Sequence, residues 1–483
     1  MVSFTDFIYS QTHIHFIGIA GTAMGSAAVA LKRQGYKVTG SDVQIYPPMS
    51  DVLRDAGIKV YNEYNASHLN PLPDVTVVGN VISRGNPEAE EVLADSIPYI
   101  SLPQLIADYF IKDKKSYVVT GTHGKSTTTA LLAWIFSYTG INPGYLIGGV
   151  PADLPSSCEV GSGDVFTIEG DEYDTAFFDK RSKFVHYFPF CLIINNIELD
   201  HVDIFRDIDV VRRAFYDVMT IVNPRGVIIA NYDNEEVRNL VLRHPVVMKK
   251  LVPVFLYGMS ESVEYRITDI NHNNGNLFFK LTDSFAEVIP ISTRLCGDFQ
   301  AYNVTAAVIA AQKYGIPVQK ICEAVELFNG LKRRMEVKGT VREITVIDDF
   351  AHHPTAIAET LNGVRKRYEG RRIWAVVEPR SNSMRRSVFQ ERLTKAFPAA
   401  DSIVFAGVDN PGKVAENERL HPELVVEALK AQGKNALYIP EIDDIVKYLA
   451  LNMVSGDVVI GMSNGGFGNF HQKLLDALSS SIV

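Results

Sequence analysis

The chain has 483 residues, 46% of them hydrophobic and 21% charged, with a formal net charge of −9. That is an ordinary globular composition, and at ~150 residues per domain the length suggests about three domains. The acidic balance, with no dense Lys/Arg cluster, argues against a nucleic-acid partner, and no apolar run approaches the ~20 residues that cross a bilayer, so no membrane partner is expected.

Any polyanionic ligand must therefore be held by local charge against the overall field. Met1 to Gln11 lacks a basic stretch followed by an apolar one, so no secretory signal is expected. The four cysteines are scattered, with no C-x-x-C, as suits structural thiols in a reducing cytoplasm.

In chain order, His13-Ile14-His15-Phe16-Ile17-Gly18 reads as a short strand running into Gly18 to Gly25 and an alanine-rich helix. A strand at Tyr36 to Thr39 follows and ends at Ser41-Asp42, the distance at which Rossmann folds place a ribose-binding carboxylate. Strand Val75 to Gly79 leads into Asn80 to Pro87, and Lys112-Asp113-Lys114-Lys115 reads as a linker.

The apolar run Tyr117 to Thr120 then enters Gly121-Thr122-His123-Gly124-Lys125-Ser126-Thr127 and a helix to Tyr138. Strand, glycine loop, lysine, hydroxyl and helix are the order needed to hold a nucleoside triphosphate. Backbone N–H groups close on phosphate, lysine adds a point charge and the serine hydroxyl suits Mg²⁺. Val119 stands where the usual P-loop pattern has its first glycine.

Asp164 to Ile168 reads as a buried strand ending at Glu169-Gly170-Asp171-Glu172, hard oxygen donors of the kind that hold Mg²⁺. Cys191 to Asn195 is a second such strand, ending at Glu198-Leu199-Asp200-His201. Val263 to Gly297 alternates in polarity around Asn273-Asn274-Gly275 and is expected to form an antiparallel appendage. Arg333 and Arg334 near the second boundary reach phosphate across a cleft or are solvated surface charge. A third unit is expected from strand Thr345 to Asp348, through Ile373 to Val377, to strand Asp457 to Met462, a Ser463 to Gly468 loop and a helix over 469–478. Asp349 to Pro354 is a ribose-and-base contact or an N-cap and turn. The alternation throughout predicts three doubly wound α/β domains.

Together these stretches resemble the Mur ligases, three-domain ATP-dependent amide-bond-forming enzymes of peptidoglycan synthesis, over essentially the whole chain. The resemblance implies a Rossmann-like UDP-sugar-binding domain at 1–112, a central P-loop domain at 113–336 and a Rossmann-like peptide-binding domain at 337–483. Tyr46 to Ser50, Glu172-Tyr173-Asp174 with Phe177 to Phe184, Glu378-Pro379-Arg380-Ser381-Asn382 and Met462 to Gly468 are most similar to the members that join UDP-N-acetylmuramate to the murein tripeptide L-Ala-γ-D-Glu-meso-diaminopimelate. Addition of L-alanine to the same sugar is the alternative within the family. A nicotinamide-dependent dehydrogenase is the alternative outside it, and has no use for Gly124-Lys125-Ser126.

By that resemblance Lys125, Glu169 and His201 are catalytic, and ATP is held by Gly121, Thr122, His123, Gly124, Lys125, Ser126, Thr127, Asn303, Arg333, Asp349 and His352. Mg²⁺ is expected on Ser126 and Glu169, with a second ion on His201 and Glu169. The sugar nucleotide falls to Gly21, Thr22, Ala23, Met24, Asp42, Asn80 and Ser83, and the peptide's carboxylates to Arg380 and Asn382. Gln300 replaces an asparagine that resembles an adenine contact, and Phe188 stands where several relatives carry a carbamylated lysine, so no carbamate is expected.

Overall fold

The structure, a computed structural model, describes residues 12–43, 45–46 and 49–480. The readings on Met1 to Gln11 and on Pro47-Pro48 lie outside the described residues. Three parallel-sheet units follow one another along the chain.

The first sheet contains β1 (His13–Ile17), β2 (Lys37–Ser41), β3 (Lys59–Tyr61), β4 (Val75–Val78) and β5 (Tyr99–Ser101), in the spatial order β3-β2-β1-β4-β5. All its pairs are parallel. The order reverses at β1, which opens a crevice at its C-terminal end, where the Gly18–Gly21 loop enters helix Thr22–Arg33.

The central sheet has ten strands. They are β6 (Lys115–Thr120), β7 (Gly144–Leu146), β8 (Cys158–Glu159), β9 (Val165–Gly170), β12 (Cys191–Ile194), β13 (Val227–Asn231), β14 (Val254–Gly258), β15 (Tyr265–Asn273), β16 (Asn276–Thr282) and β17 (Val288–Thr293). A separate small hairpin pairs β10 (Asp174–Ala176) with β11 (Asp179–Ser182). β6 lies between β9 and β12, so its C-terminal loop is flanked by the ends of both. The near-continuous buried runs of β6, β9, β12 and β13 fit a sheet covered there on both faces. The antiparallel segment is confirmed over β15–β17, but it is no separate appendage: β14 and β15 pair in parallel and make it part of the sheet. Asn274 and Gly275, both at positive φ, form its first turn.

The third sheet contains β18 (Glu336–Val341), β19 (Ile344–Asp349), β20 (Ile373–Val377), β21 (Ser402–Phe405), β22 (Asn435–Tyr438) and β23 (Val458–Met462), in the order β18-β19-β23-β20-β21-β22. The antiparallel edge strand β18 was not foreseen. Its residues are half-exposed and include no apolar run to announce them. The final helix covers Phe470–Ser480 after a short turn at Phe467–Asn469.

Candidate functional site

The three units enclose one cleft of ≈1260 Å³. The first contributes Gly21, Thr22, Ala23, Met24 and Asn80, and the second Thr122 to Thr127, Glu169, His201 and Asn303. Arg333, Asp349 and His352 line it from the third side. Gly121, Asp42, Ser83, Arg380 and Asn382 are not among its lining residues.

Gly124 is the N-cap of helix Lys125–Tyr138 and sits at φ +82°, a conformation that only glycine adopts without cost. The loop is braced from the β12 end. His123 N–H donates to Asn196 Oδ1 (2.7 Å), and Asn196 Nδ2 donates to His123 O (3.1 Å). The open helix N-terminus and its glycine bend form a cradle for phosphate oxygens.

Lys125 Nζ donates to Gly121 O (2.7 Å) and lies 3.3 Å from Glu172 Oε2 and 3.7 Å from Asp171 Oδ1. Burial opposes its charge, but Glu172, Asp171 and Glu169 outweigh it, and the lysine pKa is raised. Glu169 is raised by burial and by Asp171; its Oε2 accepts from Ser126 Oγ at 2.9 Å, and its Oε1 accepts from Gly148 N–H. A hydroxyl and a half-buried carboxylate side by side beneath a phosphate cradle form a donor set of the hard-oxygen type that Mg²⁺ takes.

Several of the expected site residues have partners of their own. The carboxylate within 4.0 Å of the His201 imidazole is Glu172 (Nε2–Oε1 3.9 Å), not Glu169, and the ring also packs on Tyr173 (centroids 4.9 Å). Arg333 does not point at the cleft's phosphate cradle. Its Nη2 donates to Ser463 O (2.7 Å) and Gly465 O (2.6 Å), and its Nε lies 3.3 Å from Asp348 Oδ2. Arg334 also lines the cleft, with its guanidinium 5.0 Å from the Phe350 ring centre and no hydrogen bond or ion pair among the described residues.

Asp349 is 3% exposed and accepts from Met335 N–H (2.7 Å), Ala351 N–H (2.8 Å) and Thr360 Oγ (3.3 Å), so its carboxylate shapes the loop from within. Burial raises its pKa. Asp42 likewise accepts from Ala20 N–H (2.9 Å) and Val43 N–H (2.8 Å), tying down the first glycine loop. Ser83 is exposed. Asn382 Nδ2 donates to Asp203 Oδ2 (2.8 Å), a contact between the third and central units. Arg380 packs over Gly465, where any Cβ would overlap its guanidinium. Gln300 takes up Asn303: its Oε1 accepts from Asn303 Nδ2 at 2.9 Å.

Sequence reasoning gave no separate role to Glu172, Glu198 or His353, and left Arg334 between a phosphate contact and solvated charge. Glu172 was legible as part of an acidic turn at a strand end. For the others the signal is a contact made across the chain, which no local pattern carries.

Three domain families match the chain: "Mur ligase family, catalytic domain" at 13–113, "Mur ligase middle domain" at 119–311 and "Mur ligase, glutamate ligase domain" at 333–465. The UDP-N-acetylmuramate–L-alanyl-γ-D-glutamyl-meso-2,6-diaminoheptandioate ligase of Haemophilus influenzae is 38% identical over 468 residues, covering 96% of this chain and 99% of that one. A UDP-N-acetylmuramate–L-alanine ligase of Sulfurihydrogenibium is 30% identical, over 96% of this chain and 98% of its own. Among solved structures, a murein peptide ligase from Psychrobacter arcticus superposes with a TM-score of 0.75 at 35% identity, covering 98% of this chain and 100% of that one.

Proposed function

Because this chain belongs to the Mur ligase family, we propose that it is an ATP-dependent, ADP-forming ligase that joins UDP-N-acetylmuramate to L-Ala-γ-D-Glu-meso-diaminopimelate in peptidoglycan recycling. One observation carries the reading. The P-loop lysine and serine share a cleft with the first unit's glycine loop and with the strand ends of the third, which supports a reaction that needs groups from all three units at one place.

The chemistry accounts for the residue types. A carboxylate is a poor electrophile, so ATP phosphorylates the sugar's lactyl carboxylate to an acyl phosphate. The peptide's free amine attacks the acyl carbon, and phosphate leaves with the C–O bond electrons. Two anions must be brought together, and the protein's part is positioning and charge neutralisation. Lys125 supplies a fixed cation at the β/γ-phosphates, and Arg334 replaces Arg333 as the arginine free to face them. Ser126 and Glu169 would hold Mg²⁺, with His201 and Glu172 suited to a second ion. When bound, Mg²⁺ supplies further neutralisation of phosphate charge. The loop over Gly21 to Met24, with Asn80, receives the sugar nucleotide. Arg380 remains the candidate for a peptide carboxylate, where a planar guanidinium fits. Asn382 acts as a domain contact instead.

Four free cysteines support work in the cytoplasm, and no described helix is long and apolar enough to cross a membrane. The test is phosphate release with ATP, Mg²⁺ and UDP-N-acetylmuramate, comparing the tripeptide with free L-alanine and including Lys125→Ala as a control. Turnover with the tripeptide alone supports the reading. Turnover with L-alanine would replace it by the alternative to which the 30%-identical relative points. Normal turnover by Lys125→Ala would remove the P-loop from the chemistry.

A further inference from the structure

Glu198 hydrogen-bonds both to the P-loop and to the third unit, beside the ring contact of His123 with His353 (centroids 4.7 Å). Its main chain, in the segment after β12, braces the loop. Glu198 N–H donates to Thr122 Oγ (2.8 Å), and the same hydroxyl donates to Glu198 O (3.2 Å). Its side chain points the other way, where Oε2 accepts from Thr355 Oγ (2.8 Å) and from Arg392 Nη2 (3.0 Å). Arg392 Nη2 also donates to Thr355 Oγ (3.1 Å), which closes a three-membered cluster. These partners lie 157 and 194 residues further along the chain. Thr355 is in the first turn of helix Pro354–Arg367, directly after the 349–353 loop that lines the cleft.

We infer that Glu198 is a positioning residue, a latch through which docking of the third unit onto Arg392 and Thr355 fixes the P-loop for phosphoryl transfer. The inference rests on the ligase reading above. A lone surface ion pair contributes little, but here one carboxylate is shared between a guanidinium and a hydroxyl that already touch each other, so less freedom is lost per bond. The group stays ionised: although burial opposes it, the His123 and His353 imidazoles and the Thr355 hydroxyl hold it down to about 2. His123, Glu198 and His353 also cluster closely enough to suggest a metal site. Two contacts speak against it. His353 Nδ1 already accepts from Thr355 N–H (3.3 Å), and the Arg392 cation sits 3.0 Å from the same carboxylate. The cluster is therefore a domain clasp. A closed, aligned site is where proximity contributes most to rate, so a clasp that selects the closed state acts on turnover.

Full-length Arg392→Ala, Glu198→Gln and their combination test this, with Arg392→Lys as the conservative variant. Each single change is expected to lower kcat by about tenfold, with the KM for UDP-N-acetylmuramate unchanged, because the latch's hydrogen bonds among the described residues join the central and third units only. The combined variant should be no slower than the worse single one, and Arg392→Lys should recover part of the loss. Small-angle scattering with an ATP analogue should show a larger radius of gyration for Arg392→Ala than for wild type. Losses that multiply to about 100-fold, or an Arg392→Ala protein equal to wild type in kcat and in scattering, would overturn the latch. If wild type itself turned over neither substrate pair, the ligase reading would fail, and scattering alone would decide the latch.

Discussion

Gly124→Ala separates the shape of the P-loop from its charge. The residue lies at φ +82°, ψ −8°, where an L side chain costs about 1–2 kcal/mol. Its new methyl would overlap Asn303 Oδ1 and come 3.1 Å from Asn303 Cγ and 3.2 Å from Asn195 Nδ2. Asn303 must then rotate, losing its 2.9 Å bond to Gln300 Oε1, worth about 1 kcal/mol. The loop thus carries roughly 2–3 kcal/mol, which at 1.36 kcal/mol per tenfold weakens ATP binding by about 30- to 150-fold. Titration with a fluorescent ATP analogue measures it, alone and on an Asn303→Ala background. With the carboxamide gone, only the backbone strain remains, so the Gly124→Ala penalty should shrink by several-fold there. An equal penalty on both backgrounds would refute the steric argument, and unchanged binding by Gly124→Ala would refute the cradle.

The two adjacent arginines should divide their effects. Arg333→Ala removes two carbonyl contacts from the Ser463–Gly465 turn and should lower the melting temperature by a few degrees, whereas Arg334→Ala should leave melting unchanged and cut kcat by about 10²-fold or more. The reverse pattern in melting curves and phosphate release would return the phosphate-facing role to Arg333. Acid stability should depend on His13, which burial, Lys37 and His15 lower to about 4 from an ordinary 6.5. The unfolded chain binds a proton there that the folded one excludes, so stability is full above pH 6.5 and falls as pH drops toward 4. His13→Gln, which can keep a bond to Thr39, should flatten that slope by up to about 2 kcal/mol in melts between pH 7 and 4.5. His353, lowered to about 3, shares the window and leaves part of the slope in place, and a slope unaltered by His13→Gln would refute the assignment.

What was legible in the chain was what is local. The glycine loop after β6, the acidic end of β9 and the Asp348-Asp349 end of β19 each combine an apolar run with a break in it, and the structure gathers them at one cleft. What was not legible was direction. Arg333 and Arg334 are neighbours of identical chemistry. The positive φ of Arg333 and Met335 (59° and 52°) helps turn one inward to carbonyl oxygens and leave the other over Phe350. Asp42 and Asp349 stand where ribose-binding carboxylates are expected, and each is taken up by the loop it would serve. Glu198 reads as an ordinary acidic residue because both its partners come from a different unit.

The acidic surroundings of Lys125 set a condition on nucleotide binding. With Glu172 at 3.3 Å, Asp171 at 3.7 Å and Glu169 adding to the raised lysine pKa, the single P-loop cation is already neutralised before ATP arrives. A tetra-anion entering unaccompanied would meet three carboxylates, and at an effective dielectric of about 20 each such repulsion at 4 Å is about 4 kcal/mol. Lys183, 3.3 Å from Asp171, offsets only part of it. A divalent cation on Ser126 and Glu169 would remove most of that repulsion and release Lys125 toward phosphate. ATP affinity should therefore drop by at least 10²-fold when Mg²⁺ is replaced by EDTA, and Asp171→Asn should narrow the gap by weakening the repulsion that Mg²⁺ relieves. Calorimetric titration reads both. Equal affinity with and without the cation would mean that Lys125 meets phosphate without help, and the acidic cluster would have to serve the incoming amine instead.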